Sequence, residues 1–297
     1  MYRSGFVTLI GRPNVGKSTL MNLFIGEKVS IISNKPQTTR NKIRSILSGD
    51  GFQIVFIDTP GIHNPASKLG AYMVKAAENA MNEVDCIIYL VEPRKASGAD
   101  KNIMNRLGNV DTPVFLAVNK IDTVEKAELL NVIEDYRGCY NFAEIFPVSA
   151  RNAENTDDLL AAVKNILPEG PRYFPEDIVT DQPERQIASE LIREKALRYL
   201  REEVPHGVAV GIELMKRRAD QELVDVEATI YCEKDSHKGI IIGKKGETLK
   251  KIGSAARLDI ERLLGSPIFL QLWVKVKKDW RNSDFYLKNF GYDFSNV

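Results

Sequence analysis

The chain has 297 residues, of which 43% are apolar and 27% are charged. This length exceeds what one compact core usually holds, and this composition excludes a wholly disordered chain, so two folded domains are expected. Lysine and arginine number 41 against 40 aspartates and glutamates, so net charge alone does not indicate a nucleic-acid partner.

Three widely spaced cysteines without a Cys-x-x-Cys pair argue against a disulfide framework and a zinc site. With no run typical of a signal peptide or membrane span, a cytoplasmic protein is expected.

The first half of the sequence alternates short β-rich runs with longer segments. Five apolar runs have the length and composition of buried strands: 6–10, 54–57, 86–91, 114–118 and 145–148. Helix-length segments such as 67–82 and 155–167 separate most of them, which predicts a mostly parallel sheet covered by helices on both faces. Residues 42–47 and 52–57 are joined by Ser-Gly-Asp-Gly and are predicted to form a hairpin, which adds one antiparallel edge strand.

A proline-rich stretch separates the two halves. Four of the thirteen prolines lie between Pro168 and Pro183, a composition that neither a helix nor a central strand tolerates. We therefore predict a first domain over residues 1–170, a linker over 171–184 and a second domain over 185–297.

The second domain is predicted to have the order helix, strand, strand, helix, helix, strand. Its helices are expected over 184–203 and 247–264, with a further helix before the latter. Alternating apolar residues predict three strands. Their inward-facing residues are expected to be Val208, Val210, Ile212 and Leu214; then Val224, Val226, Ala228, Ile230 and Cys232; then Ile268, Leu270, Leu272, Val274 and Val276.

A glycine-rich loop directly follows the first predicted strand. Residues 11–18 read Gly-Arg-Pro-Asn-Val-Gly-Lys-Ser and match the phosphate-binding loop pattern. The glycines let backbone amides converge on one anion, Lys17 adds a point charge and Ser18 offers a hydroxyl to Mg²⁺. The predicted nucleotide-binding residues of this loop are Gly11, Arg12, Pro13, Asn14, Val15, Gly16, Lys17, Ser18 and Thr19.

A second motif predicts which base is bound. Asn119-Lys120-Ile121-Asp122 follows the strand predicted at 114–118, at the sheet edge where ligands of open α/β folds bind. The Asp122 carboxylate can accept hydrogen bonds from both the N1–H and the exocyclic amine of guanine, whereas adenine presents a lone pair at N1. Ser149 and Ala150 follow the next strand, where a backbone N–H can donate to the guanine carbonyl oxygen. The sequence therefore predicts a guanine nucleotide.

A third motif predicts elements that respond to the γ-phosphate. Asp58-Thr59-Pro60-Gly61 places a carboxylate near the metal and the Gly61 amide near the γ-phosphate. The loop over 33–40 precedes it, and both segments suit elements that become ordered around γ-phosphate and Mg²⁺. Thr39, or alternatively Thr38, would add a second hydroxyl to the metal. The predicted metal-binding residues are Ser18, Thr39 and Asp58.

This order of motifs resembles the translation-factor-like GTPases. The resemblance implies hydrolysis of GTP to GDP and phosphate by water attack, with catalysis from positioning and charge neutralisation. The expected catalytic residues are Lys17, Thr39 and Gly61. Ile62 stands where many relatives carry a water-orienting glutamine, so slow turnover is expected, and the adjacent His63 is expected to be solvated rather than catalytic. By the same resemblance, Asn14 is a candidate ligand for a monovalent cation such as K⁺.

A second glycine loop, Gly243-Lys244-Lys245-Gly246, lies in the most basic part of the chain. Residues 234–281 contain twelve lysines and arginines against five aspartates and glutamates. The motif order around this Gly-x-x-Gly loop resembles a type II KH domain, an α+β module that clamps about four unpaired nucleotides. The predicted RNA-binding residues are Ile240, Ile241, Ile242, Gly243, Lys244, Lys245, Gly246 and Lys250.

A GTPase that carries Gln-Thr-Thr-Arg over residues 37–40 and ends in one KH domain resembles the Era family over essentially the whole chain. The resemblance implies binding of the 3′ end of 16S ribosomal RNA and assistance in maturation of the small (30S) ribosomal subunit. It also implies partial peripheral association with the inner face of the cell membrane, without a transmembrane segment. A monomer is expected, because the sequence shows no oligomerisation signal.

Two other interpretations stay open at this point. In one, the basic second domain docks a protein partner or a membrane surface rather than RNA. In the other, the protein binds RNA without hydrolysing nucleotide, and the nucleotide is structural.

Overall fold

A computed structural model describes residues 2–33, 35 and 37–296 of the chain. In the first half the elements are β1 (Arg3–Ile10), α1 (Lys17–Ile25), β2 (Ile43–Gly49), β3 (Phe52–Asp58), α2 (Lys68–Met81), β4 (Cys86–Val91), α3 (Gly98–Leu107), β5 (Val114–Val118), α4 (Lys126–Arg137), β6 (Glu144–Pro147) and α5 (Thr156–Ile166). In the second half they are α6 (Glu184–Tyr199), β7 (Ala209–Arg217), β8 (Val224–Cys232), α7 (Asp235–Ile242), α8 (Glu247–Leu264), β9 (Ile268–Val276) and α9 (Asp284–Asn289).

Within the described residues, the first half forms a sheet of order β2-β3-β1-β4-β5-β6. All neighbouring strands are parallel except the predicted hairpin β2–β3, which is antiparallel and lies at the edge. The continuous apolar run of β4 is explained by burial on both faces. Cys86, Ile88 and Leu90 pack in one core cluster, and the alternate residues of the strand pack in another.

The carboxyl ends of the parallel strands position the site. Loops that follow β1, β3, β5 and β6 all leave the sheet at this edge, so residues distant in sequence meet there.

The second half forms a smaller sheet of order β7-β8-β9, in which β7 is antiparallel and β9 is parallel to β8. Helices α6 and α8 pack together, and their apolar residues share one core with the inward rows of the strands. All five predicted inward residues of β8 are buried, and those of β9 are buried or packed against the same core.

The prediction for the end of β7 is wrong. The register of β7 against β8 shifts between Ile212 and Leu214, which is a β-bulge. A bulge inserts one residue and reverses the side-chain alternation beyond it. Leu214 is therefore 37% exposed, and Met215 packs against the core in its place.

The segment between α5 and α6 is held along the sheet. The Val179 carbonyl accepts a hydrogen bond of 2.9 Å from the Ile46 amide of β2, and Ser45 forms an antiparallel bridge with Thr180. The Gln53 side chain also accepts from the amide of Phe174 at 3.0 Å. These contacts hold the segment between α5 and α6 against the sheet, so it is not a flexible linker.

The C-terminal segment joins the two halves. Trp280, Leu287 and Tyr292 pack with Tyr72 and Met73 of α2 in one buried cluster. Among the described residues, no helix combines the length and apolar character needed to span a membrane.

The bulge in β7 predicts unequal effects of two neighbouring truncations. Met215→Ala should lower the free energy of unfolding by about 1–2 kcal/mol because it removes a side chain from the core. Leu214→Ala should cost less than about 0.5 kcal/mol because that side chain is largely outside it. Urea denaturation of both variants measures this difference, and a larger loss for Leu214→Ala would show an unbulged strand.

Candidate nucleotide site and nucleic-acid interface

One cavity of about 640 Å³ lies at the carboxyl edge of the large sheet. It brings together most of the predicted nucleotide-binding residues: Pro13, Asn14, Gly16, Lys17, Ser18, Thr19, Thr39, Gly61, Asn119, Lys120, Asp122 and Ala150. The remaining predicted residues lie beside them rather than in the lining: Gly11, Arg12, Val15, Asp58, Thr59, Pro60 and Ser149. Additional lining comes from Ser33, Gln37 and Thr38 of the predicted loop 33–40, and from Ile31, Ile32, Thr123 and Arg151, which the motifs did not single out.

The phosphate loop requires glycine at two positions. Gly11 and Gly16 have φ values of 145° and 107°, which side chains rarely adopt. A Cβ on Gly11 would lie 2.4 Å from the Leu90 carbonyl oxygen, and one on Gly16 would lie 2.2 Å from Nδ2 of Asn119. The second contact shows that the loop and the base-recognition motif are packed directly against each other.

Lys17 is buried at the start of α1. Its ammonium donates to the carbonyl oxygens of Gly11 at 3.2 Å and Arg12 at 3.1 Å. Burial lowers the Lys17 pKa to about 8, although Asp58 acts in the opposite direction. An anion within the loop would favour the charged form of this ammonium.

Three oxygen-bearing side chains converge beside Lys17. The Ser18 hydroxyl donates to Oδ2 of Asp58 at 2.7 Å and lies 3.0 Å from the Thr39 hydroxyl. Thr39 in turn lies 3.4 Å from the same carboxylate oxygen. The alternative, Thr38, instead donates to the Lys35 carbonyl at 2.6 Å, so the structure favours Thr39.

Two residues of the predicted loop 33–40, Asn34 and Pro36, lie outside the described residues.

The same three residues fit a hard divalent cation. Asp58 is fully buried, burial raises the pKa of its carboxyl, and its Oδ1 has no hydrogen-bond partner among the described residues. Oxygen ligands of this kind suit Mg²⁺, which usually takes few protein ligands and completes its shell with phosphates and water. The described residues contain no group of three or more His, Cys, Asp or Glu side chains that could hold a metal by themselves.

Asn119 connects the parts of the base-recognition region. Its Nδ2 donates to the Val15 carbonyl at 2.8 Å, and its Oδ1 accepts from the Ala150 amide at 2.9 Å. The Ala150 amide therefore connects the loop after β6 to the loop after β5. The Ser149 hydroxyl donates to Oδ1 of Asp122 at 2.7 Å and so orients that carboxylate.

Two acidic residues that the sequence motifs missed support this region. Glu92 accepts from the Lys120 ammonium at 2.6 Å, and the same ammonium donates to the Asn14 carbonyl at 2.8 Å. Asp100 accepts from Nε of Arg12 at 2.8 Å, which directs that arginine toward the first turn of α3. No local pattern marks Glu92. Asp100 is marked only as the third helical residue of a Ser-x-x-Asp capping box that starts at Ser97, which does not reveal its contact with Arg12.

The Asp58-Thr59-Pro60-Gly61 turn lies against the phosphate loop. The Thr59 hydroxyl donates to the Leu9 carbonyl at 2.7 Å, and a Cβ on Gly61 would lie 2.6 Å from the Pro13 nitrogen. The Ile62 amide donates to the Gly11 carbonyl at 3.2 Å, while the Ile62 side chain is buried in the core. The position after Gly61 therefore offers no polar group to orient water.

His63 bridges the two segments that are predicted to respond to the γ-phosphate. Its Nδ1 lies 2.8 Å from the Gly61 carbonyl oxygen, and its Nε2 lies 3.1 Å from Nε2 of Gln37. A neutral ring with its proton on Nδ1 satisfies both contacts. The ring is thus held in place rather than merely solvated, which corrects the sequence expectation for its environment.

The second glycine loop lies between α7 and α8. Gly243 has a φ of 74°, Lys245 of 50° and Gly246 of 81°, and a Cβ on Gly243 would lie 2.3 Å from the Thr248 hydroxyl. This tight turn leaves Lys244, Lys245 and Lys250 exposed.

The predicted apolar groove residues have different environments. Ile240 is 50% exposed, whereas Ile241 is fully buried in the core of the second domain. Ile242 is partly buried against the same core. The prediction that all three line a surface groove is therefore wrong for Ile241, because the three residues follow one another on a helix and face different directions.

Comparison with known proteins identifies the family. Profiles described as "50S ribosome-binding GTPase" and "KH domain" match residues 6–120 and 203–281. GTPase Era of Clostridioides difficile (strain 630) is 57% identical over 295 residues, covering 99% of each chain. GTPase Era of Alkaliphilus metalliredigens (strain QYMF) is 56% identical over 293 residues, covering 98% of this chain and 99% of that protein. The chain belongs to the Era family of GTPases.

Solved structures of Era have the same architecture. Era in complex with MgGDPNP and nucleotides 1506–1542 of 16S ribosomal RNA has a TM-score of 0.96 at 39% identity, covering 99% of this chain and 100% of that chain. A variant of Aquifex aeolicus Era bound to GDP.AlF4- has a TM-score of 0.95 at 39% identity, covering 98% and 100%. The predicted fold class, a mixed and mostly parallel α/β GTPase domain followed by a KH domain, is confirmed.

The geometry around Asp122 predicts a change of base preference in this Era family member. In Asp122→Asn, an amide N–H faces the amine of guanine, so GDP affinity should fall about 100-fold. Xanthine carries a carbonyl at that position, so XDP affinity should rise. Isothermal titration with GDP and XDP measures both, and the exposed substitution Asp158→Asn is the control. Unchanged selectivity in Asp122→Asn would exclude this role for the carboxylate.

Proposed function

We propose that the chain is a GTP-hydrolysing molecular switch that binds single-stranded ribosomal RNA and assists assembly of the small ribosomal subunit. The observation that carries the first part is the convergence of Ser18, Thr39 and Asp58 beside Lys17, in the same cavity as Asp122. The RNA-binding part is supported by the exposed Gly-x-x-Gly loop and by the Era structure solved with nucleotides 1506–1542 of 16S ribosomal RNA.

The residues assign distinct roles in hydrolysis. Ser18, Thr39 and Asp58 would hold Mg²⁺, which neutralises charge at the β- and γ-phosphates when bound. Lys17 and the amides of the phosphate loop would bind the phosphate oxygens, and the Gly61 amide would donate to the γ-phosphate. Because the Ile62 side chain is in the core, intrinsic hydrolysis is slow. We also retain Asn14 as a candidate ligand for a monovalent cation.

RNA binding would combine phosphate and base contacts. Lys244, Lys245 and Lys250 are exposed around a turn whose glycines allow close backbone approach to phosphates. Ile240 adds exposed apolar surface beside it for unpaired bases. The proposed strand is the 3′ end of 16S ribosomal RNA.

Nucleotide and RNA affinities would be linked. GTP would order residues 33–40 and 58–63 around its γ-phosphate and thereby alter how firmly the KH domain holds RNA. By linkage, RNA must change GTP affinity by the same factor.

The domain limits proposed for this function are 1–170, 171–184 and 185–297, supported by the end of α5 at Ile166 and the start of α6 at Glu184. The proposed location is the cytoplasm, with peripheral contact at the inner face of the membrane as a further proposal. Docking of the basic face to a protein or membrane is the alternative function, since exposed lysines also suit acidic partners.

Hydrolysis should depend on Lys17. Lys17→Ala should reduce GTP turnover at least about 100-fold, because it removes a charge that stabilises the developing negative charge on the phosphates. Phosphate release measured over several hours checks this, with the exposed substitution Lys126→Ala as control. If the unsubstituted protein releases no phosphate, the nucleotide is structural and the protein is not an enzyme.

RNA binding should depend on the two loop lysines. Lys244→Asp/Lys245→Asp should weaken binding of an oligonucleotide with the 16S 3′ sequence about 100-fold and lower the salt slope by about 1.4, from two lost phosphate contacts. Fluorescence anisotropy at several salt concentrations measures both effects. Lys101→Asp/Lys126→Asp, a matched charge reversal on exposed residues of the first domain, should have little effect. Equal losses in the two pairs would indicate only nonspecific electrostatics.

A further inference from the structure

Helix α6 of the second domain contacts the chain at two points on the N-terminal side of Thr39. The Ile32 amide, just before the loop 33–40, donates to Oε1 of Glu194 at 3.0 Å. The Thr38 carbonyl, next to Thr39, accepts from Nη2 of Arg193. Glu194 and Arg193 are adjacent on α6 and both are buried, so one helix supplies an acceptor and a donor to the same loop.

The Arg193 guanidinium is firmly anchored. It is fully buried, and its Nε donates to Oε1 of Glu190 at 2.8 Å while Nη2 contacts the other carboxylate oxygen. A buried charge is strongly unfavourable without such a partner. Glu190 therefore fixes the direction in which Arg193 presents its N–H to the Thr38 carbonyl.

The residue on the other side of Thr39 is also held by the second domain. Nη1 of Arg40 donates to the Val208 carbonyl at 2.7 Å, and Nη2 donates to the His206 carbonyl at 3.1 Å. The guanidinium carbon lies 5.6 Å from the centre of the Trp280 ring. Thr39 thus lies between Thr38 and Arg40, and the second domain binds the carbonyl of the first and the guanidinium of the second.

We propose that Arg193 is a positioning residue for the Thr39 hydroxyl and that it sets the preference of the pocket for GTP over GDP. The proposal rests on the proposed GTPase function. Arg193 fixes the Thr38 carbonyl, and the next residue, Thr39, places its hydroxyl 3.0 Å from that of Ser18, where it would bind the Mg²⁺ that accompanies the γ-phosphate. GDP has no γ-phosphate and gains less from that placement. The KH domain thereby completes the nucleotide site in cis.

The test compares full-length protein with Arg193→Met, which keeps an unbranched apolar stem and removes the guanidinium. Affinities for GDPNP and GDP are measured by isothermal titration at several Mg²⁺ concentrations, together with thermal unfolding. Arg193→Met should weaken GDPNP about tenfold and GDP less than twofold, as expected for loss of one charged hydrogen bond. Half-maximal GDPNP binding should also require more Mg²⁺. Arg193→Lys should fall between the two proteins, and the exposed control Arg201→Met should match the unsubstituted protein.

Equal weakening of GDPNP and GDP, or no change in their ratio, would overturn the proposal and leave Arg193 a structural role only. If Arg193→Met does not fold, the same GDPNP and GDP affinities are measured for Glu190→Gln. It loosens the anchor of the guanidinium, so it should lower the GDPNP-to-GDP preference in the same direction, and an unchanged ratio overturns the proposal. An unsubstituted protein that binds neither nucleotide would instead refute the proposed function itself.

Discussion

The buried carboxylate of Asp58 is the constraint on which the site depends. It lies at the end of β3 with one oxygen shared between two hydroxyls and the other without a partner among the described residues. Burying such a group is unfavourable unless a cation or hydrogen-bond donors compensate. The edge of the sheet at Asp58 therefore favours a bound cation. Ser18 from the phosphate loop and Thr39 from the following loop both contact the same carboxylate oxygen, so the two segments meet at Asp58.

The loop that carries Thr39 belongs structurally to both domains. Ile31, at its start, packs within the core of the second domain, and Lys28 just before it forms a salt bridge of 2.6 Å with Glu194. A displacement of this loop therefore cannot leave the domain interface unchanged. Close-packed interfaces tend to have discrete arrangements rather than continuous ones. These contacts give a physical route for the proposed coupling between nucleotide binding and RNA binding.

The sequence predicted well the features that depend on local geometry. The glycines of the phosphate loop, the Asn-Lys-x-Asp motif and the β2–β3 hairpin each require particular residues within a few positions, and all are placed as expected. The bulge before Leu214 was missed because it depends on the pairing of β7 with β8. The burial of Ile241 was missed because an apolar run does not reveal which side of α7 faces the core. Arg193 was missed for a related reason: its partner Thr38 is 155 positions away, and a buried arginine on a helix has no distinguishing pattern.

The pairing of residues 179–180 with β2 has a consequence for how the protein survives in a crowded cell. An uncovered outer strand offers a row of free amides and carbonyls that recruits strands from other molecules. Here the connecting segment satisfies part of that row, with the Ile46 amide bound to the Val179 carbonyl. A chain that ends before this segment would leave the Ile46 amide and its neighbours on β2 without a partner and free to pair with another strand. In the full chain, the segment at 179–180 leaves fewer backbone groups of β2 open to pairing with another molecule.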